Sequence, residues 1–264
     1  MAPFTSITLL QLNAKAAMLE RRDNKYVVQE AALQQAVTLL APHFDVLEID
    51  GKRNFTYETR YFDDAQHTNY FDHHRGKRLR CKIRVRRYLD AQTCFVEVKF
   101  KDKRGVTVKK RLKYSIDKFE SLDTRAMVLI RAAYRKFFGR ELHPVLQPVL
   151  DISYRRVTLV AKAGGERMTI DSALVFSRTD RSHPINENIF VVETKSANGN
   201  GIADKILRGL HQHPTNRCSK YCVGAALLGI VHKHNNFLAT LRKFNAAARP
   251  GVDPEFGLVP SPRC

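Results

Sequence analysis

Between Arg78 and Tyr88 the chain reads Arg-Leu-Arg-Cys-Lys-Ile-Arg-Val-Arg-Arg-Tyr. In an extended strand this puts Arg78, Arg80, Lys82, Arg84 and Arg86 on one face and Leu79, Cys81, Ile83 and Val85 on the other. Like charges in a row repel one another unless an anion sits among them, so this face calls for a polyanionic ligand. The pattern recurs downstream. Cys94 to Lys101 sets Phe95, Glu97, Lys99 and Lys101 against Cys94, Val96, Val98 and Phe100, and Val106 to Tyr114 sets Thr107, Lys109, Arg111 and Lys113 against Val106, Val108, Lys110 and Leu112. With turns at Asp90-Ala91 and Asp102 to Gly105, the three strands make a meander with one cationic face. Asp151 to Val160, Arg167 to Asp171 and Ile189 to Lys195 alternate in the same way, placing Arg156, Arg167, Glu193 and Lys195 on charged faces.

The whole composition agrees with that face. Among 264 residues, 45 are Lys or Arg and 26 are Asp or Glu, a formal charge of +19. Such a balance implies nucleic acid, a phosphorylated metabolite, polyphosphate or a membrane surface as partner. RNA recognition by stacking needs aromatics interleaved on the basic face, and Arg78 to Arg86 has none, so nucleic acid is disfavoured. The five cysteines have no disulfide-framework spacing, and Val223 to Val231, the longest apolar run, is less than half of the ~20 residues of a membrane span. A cytoplasmic protein without a membrane span is expected. Cys218 and Cys222 with His211 and His213 lack the spacing of a zinc finger or ribbon and are read as apolar-face cysteines.

These strands need elements to position them. Residues 1–19 are expected to form a helix packed on the domain; 29–40, 119–138, 203–210 and 219–244 show helical spacing; Tyr26 to Val28 and Tyr57 to Phe62 read as strands. Tyr70 to Gly76 reads as a polar segment ending in a turn, and the Pro- and Gly-rich residues 246–264 as a disordered tail. A sheet charged on one face and apolar on the other, with helices that need something to cover, closes into a barrel. The expected fold is α+β: an antiparallel β-barrel, or tunnel, with a charged lining clad by helices. Its lining would hold Arg84, Arg86, Glu97, Lys99, Lys109, Arg111, Arg156, Arg167, Glu193 and Lys195, and would suit a linear polyphosphate chain. Glu97 is expected to serve as an ion-pair partner of lining lysines.

In order along the chain, Asn24-Lys25-Tyr26, Tyr61-Phe62-Asp63, Lys82-Ile83-Arg84-Val85-Arg86-Arg87-Tyr88, Phe95-Val96-Glu97-Val98-Lys99, Val108-Lys109-Lys110-Arg111, Tyr154-Arg155-Arg156-Val157, Arg167-Met168-Thr169-Ile170-Asp171, Val192-Glu193-Thr194-Lys195 and Cys218-Ser219-Lys220-Tyr221 carry a family resemblance. The sequence resembles the VTC domain, the polyphosphate polymerase branch of the triphosphate tunnel metalloenzymes, over residues 20–245. The resemblance implies a metal-dependent enzyme that moves the γ-phosphate of ATP onto inorganic polyphosphate. It implies phosphate contacts at Lys25, Arg84, Arg86, Lys99, Lys109, Arg156 and Arg167, with Arg217, Ser219 and Lys220 closing the site from the last helix, and Arg84, Arg86, Lys99 and Lys220 carrying the transfer. Glu193 would hold the divalent cofactor, Mn or Mg. Hydrolytic relatives carry Glu-x-Glu-x-Lys on the first tunnel strand, where this chain has Arg21-Arg22-Asp23-Asn24-Lys25, which favours the polymerase branch. A tunnel triphosphatase and a non-catalytic binder of polyphosphate or nucleic acid are the alternatives.

Overall fold

The computed structural model describes residues 3–15, 22–102, 107–143, 145–179 and 181–245. The elements run β1 (Thr5–Ile7), α1 (Leu9–Lys15), β2 (Arg22–Gln29), α2 (Glu30–Leu40), β3 (Phe44–Leu47), β4 (Phe55–Asp63), α3 (Thr68–His74), β5 (Arg80–Tyr88), β6 (Thr93–Lys101), β7 (Thr107–Tyr114) and α4 (Thr124–Phe138). They continue with β8 (Gln147–Ala161), β9 (Arg167–Arg178), β10 (Arg181–Pro184), β11 (Ile189–Ser196), α5 (Ile202–Gly209), α6 (Lys220–Leu227), a short 3-10 turn (Asn235–Phe237) and α7 (Leu238–Asn245). The expected tail at 246–264 lies outside the described residues, and so does part of the N-terminal segment, whose described portion forms β1 and α1.

One sheet holds all the strands of the described residues, in the order β2-β11-β9-β8-β4-β5-β6-β7, with β3 beside β8, β1 beside β3 and β10 beside β9. The eight strands of the main path pair antiparallel; β1 and β3 pair in parallel. In a flat sheet β2 and β6 would be six strand spacings apart, about 29 Å at ~4.8 Å each. Yet Lys99 Nζ on β6 lies 4.0 Å from Asp23 Oδ2 on β2. The sheet is therefore rolled, and its two ends face each other. Among the described residues the edge strands β2 and β7 make no backbone ladder with each other, so the rolled sheet is not closed by hydrogen-bonded strands.

The alternation read from sequence sorts the two faces. On the outside, Cys81, Ile83, Val85, Cys94, Val96, Val98 and Phe100 pack beneath α4 with Ala126, Ile130 and Tyr134. Val28, Val157, Leu159, Met168, Ile170 and Val192 pack beneath α2 and α5 with Leu33, Ala36, Leu40, Ala203 and Leu207. Inside, one half of the face is apolar: Leu150, Ile152, Leu174 and Phe176 meet Tyr221, Cys222, Val223 and Ala225 of α6. The α6 backbone approaches so closely that a Cβ at Gly224 would stand 2.4 Å from the Phe176 ring. Cys218 and Cys222 belong to this core.

Three expectations about the helices and loops are corrected. The helix expected from Phe119 starts at Thr124, because the Asp123 carboxylate accepts from the Ala126 N–H at 2.9 Å and caps it there. The helix expected over 219–244 is broken into α6, a 3-10 turn and α7 after Gly229 takes φ +65°, a left-handed conformation natural to glycine. The polar segment at Tyr70 is instead α3, tied down by Asp63, which accepts from the backbone N–H groups of Asp64, Asn69 and Tyr70 and from the Tyr221 hydroxyl.

Candidate phosphate-binding tunnel

The other half of the inner face is charged, and its polar side chains fall into three ion clusters. Cross-strand register creates the first, since Arg84 faces Glu97 and Glu97 faces Arg111. Arg84 reaches Glu97 Oε2 through Nη2 at 2.6 Å and Nε at 2.8 Å, and donates from Nη1 to the Tyr61 hydroxyl at 3.1 Å. Lys109 also pairs with Glu97, whose side chain is 1% exposed. Burial alone would raise the Glu97 carboxyl, but Arg84, Arg86 and Lys109 hold it well below the carboxylate range. Burial pushes the Lys109 ammonium down to about 8, with Glu97 opposing.

The second cluster lies between β8, β9 and the start of α6. Arg156 faces Asp171 in register and grips it with two bonds, Nε–Oδ1 at 2.5 Å and Nη2–Oδ2 at 2.8 Å. Lys220 Nζ meets Oδ2 at 2.5 Å. Asp171 is fully buried; against that burial, Arg156 and Lys220 bring its carboxyl down to about 2. Beside it, Tyr57 and Tyr154 stack at 5.4 Å, the Arg156 guanidinium lies 5.1 and 5.2 Å from their centroids, and Lys220 Nζ lies 5.0 Å from the Tyr154 ring. Arg86 approaches the same two rings at 5.8 and 5.9 Å and donates to Thr59 Oγ1 at 3.0 Å.

The third cluster joins the two ends of the rolled sheet. Glu193 on β11 faces Lys25 on β2 and Thr169 on β9. Its Oε1 accepts from Lys195 Nζ at 2.6 Å, and Oε2 lies 3.9 Å from Lys25 Nζ. Burial opposes ionisation of Glu193, and Lys195 and Lys25 overcome it. Glu193 in turn raises Lys25, whereas for Lys195 burial outweighs the same carboxylate and lowers it. Burial pushes Lys99 down to about 7, with Glu193 opposing.

The structure thus gathers Lys25, Arg84, Arg86, Lys99, Lys109, Arg156, Lys220 and Glu193 on one inner wall, and Ser219 stands at its edge as the N-cap of α6. Arg167 faces Lys195 in register at the next step along β9. Arg217, expected to close the site from the last helix, sits instead in the exposed turn before it, with Nη1 donating to the His74 carbonyl at 2.7 Å. Lys82, Asp171, Tyr57 and Tyr154 belong to the wall although the expected contacts omitted them. Lys82 donates to Ser219 Oγ at 2.8 Å, and burial lowers its pKa; its parity with Arg84 and Arg86 was the available signal. Asp171 shares a strand face with Arg167, so parity placed it there too, but its value to the site depends on which cations face it in register.

Among the described residues no group of three or more His, Cys, Asp or Glu side chains is placed to hold a metal. Glu193 offers one carboxylate in a lysine-rich setting. That donor suits a hard divalent cation that takes its remaining oxygens from substrate phosphates and water, as Mg characteristically does, and does not make a cage on its own.

A model of the VTC domain matches residues 20–229, from the approach to β2 through α6. No curated protein matches the chain. Similar solved structures include a putative adenylyl cyclase from Hippeastrum described as having a dominant triphosphatase activity, 14% identical over 79% of this chain and 96% of its own, at a TM-score of 0.47. A putative adenylate cyclase from Bacillus halodurans is 11% identical over 75% and 94%, at 0.44, and the PH1819 protein of Pyrococcus horikoshii is 14% identical over 78% and 96%, also at 0.44. Because the family match covers most of the chain and spans every strand of the cationic wall, the chain belongs to the VTC domain family.

Proposed function

We propose that this protein is a metal-dependent polyphosphate polymerase that transfers the γ-phosphoryl group of ATP to the end of an inorganic polyphosphate chain. The observation that carries this reading is the state of the inner wall: Glu97, Asp171 and Glu193 are each already held by two cations, and Lys82, Arg86 and Lys99 stand on the same wall beside them. Phosphoryl transfer asks for this kind of preorganised positive field, since charge spreads over the equatorial oxygens while nucleophile and leaving group stay in line.

Arg84 and Arg156, fixed by their carboxylates, present their remaining N–H groups to phosphate oxygens without the cost of ordering free side chains. Lys25, Lys99, Lys109 and Lys220 act as point charges around them. The terminal oxygen of a polyphosphate chain is already anionic, so it attacks the γ-phosphorus without a protein base. The new P–O bond forms as the bond to the β-phosphate bridging oxygen breaks, and the electron pair leaves with ADP. Glu193 is the residue that would hold the divalent ion, which supplies charge neutralisation across the phosphates when bound.

Incubation with ATP, Mn or Mg and a short polyphosphate primer should give ADP and a ladder of longer polymers, and Arg84→Ala should remove both. Phosphate release without polymer would identify a triphosphatase instead. Tight polyphosphate binding with no ADP formed would identify a binding protein.

A further inference from the structure

The charged wall ends in aromatic rings. Along β5 the inward positions run Lys82, Arg84, Arg86 and then Tyr88. Across the sheet, Arg86 faces Phe95 on β6 and Tyr88 faces Tyr57 on β4. Tyr88 meets Tyr57 edge-on with centroids 4.8 Å apart, and Phe95 at 6.0 Å with the two planes at 89°. Tyr88 and Phe95 are only half-buried, whereas Tyr61 and Tyr154 on the same face are buried. Neither ring belongs to any of the apolar clusters of the described residues, so packing of the core does not account for them. A half-buried ring keeps apolar surface in water, and a flat ligand laid against it removes that surface.

The neighbours of the two rings narrow the ligand. Arg86 stands beside them on β5, and the exposed Arg111 sets its guanidinium 5.0 Å from the Phe95 centroid. A ligand that fits both features joins a planar, weakly polar group to anionic groups. A nucleoside triphosphate has this constitution, and bases stack on aromatic rings and on arginine planes alike. Tyr88 and Arg84 are four residues apart on one strand, or roughly 13 Å at ~3.3 Å per residue. A base on the rings therefore leaves room for the ribose before the phosphates meet the cations around Arg84. A bare phosphate chain has no flat group and gains nothing from the rings.

We propose that Tyr88 and Phe95 form a nucleobase subsite at the end of the cationic wall, where the base of a nucleoside triphosphate stacks while its phosphates reach the cations around Arg84. This rests on the phosphate-binding reading of the tunnel. It adds the means by which the protein tells a nucleotide from a phosphate chain without a base.

Tyr88→Leu and Phe95→Leu keep apolar bulk and remove the flat ring. In calorimetric titration at one salt and Mg concentration, each should weaken ATP about tenfold, the size of one base–aromatic stack, and leave tripolyphosphate within about twofold of wild type. Tyr88→Phe, which keeps the ring, should bind ATP as the wild type does. The unaltered protein offers a second measurement: it should bind ribose triphosphate, which lacks the base, about tenfold more weakly than ATP. If the wild type binds neither ATP nor tripolyphosphate, the reading of the tunnel itself fails. If the wild type binds both, the tunnel reading stands, and any of four results overturns the subsite: ATP affinity unchanged in both leucine variants, ATP and tripolyphosphate weakened alike, Tyr88→Phe as weak as Tyr88→Leu, or ribose triphosphate bound as tightly as ATP.

Discussion

Asp171→Asn separates the cost of the site from its use. The carboxylate is wholly buried between Arg156 and Lys220, with contacts of 2.5 to 2.8 Å. Burial works against its ionised form, but the two cations bring the carboxyl from an ordinary 3.8 to about 2. At about 1.4 kcal/mol per pKa unit, that depression corresponds to roughly 2 to 3 kcal/mol of folding stability. Removing one member of a buried ion pair typically costs ~3–5 kcal/mol, so about 3 kcal/mol is the expected loss. The folded-state pKa is lowered, so this stability is fully present above about pH 4 and disappears as pH falls through about 2. The variant should therefore melt roughly 6–12 °C lower at pH 7.5, at ~2–4 °C per kcal/mol, and the difference should shrink in strong acid. Arg156 and Lys220 then lack their counter-ion, and a polyanion can replace it. Tripolyphosphate at a hundred times its Kd returns about 2.7 kcal/mol to any protein that binds it. At equal concentration it should raise the melting temperature of the variant more than that of the wild type. Calorimetric melts with and without tripolyphosphate decide the matter: an unaltered melting temperature at pH 7.5, or weaker rescue of the variant, would refute the reasoning.

Lys99 gives a pH prediction. Its pKa is lowered to about 7 and that of Lys109 to about 8, in both cases chiefly by burial, and a bound polyanion favours the charged forms. Affinity for tripolyphosphate should thus be highest below about pH 7 and decline above it, by less than a decade per pH unit for each lysine, because both side chains are 40% exposed and partly screened. Lys99→Arg, permanently charged, should flatten the first part of the decline; identical titration profiles would count against it. Arg217→Ala should leave tripolyphosphate affinity within twofold of wild type, since its guanidinium is spent on the His74 carbonyl. A tenfold loss would return Arg217 to the binding site.

The sequence made the wall legible because alternation of side chains is a local property. Arg84 and Arg86, or Glu97 and Lys99, lie two residues apart, and an extended backbone sets their common face without reference to anything else. The family resemblance then supplied Lys25 and Lys220 from separate segments. Pairing was not legible in this way. Arg156 meets Asp171 only because the turn after β8 sets a particular register, and the irregularity between Ser153 and Arg155 is part of that setting. A shift of one residue would have turned Asp171 away from the cation. Helix α3 escaped notice for a similar reason: Asn69, Asp72 and His74 are buried by their tertiary surroundings, and a polar run without that context reads as loop. The break at Gly229 was hidden inside an apolar stretch whose spacing continues on both sides of it. What register adds is chemically decisive. Parity alone predicts a row of mobile cations, whereas register locks Arg84 and Arg156 onto buried carboxylates. A wall whose carboxylates are each held by two cations keeps an excess of positive charge in place before any anion arrives, so an acceptor-rich ligand meets donors that are already ordered.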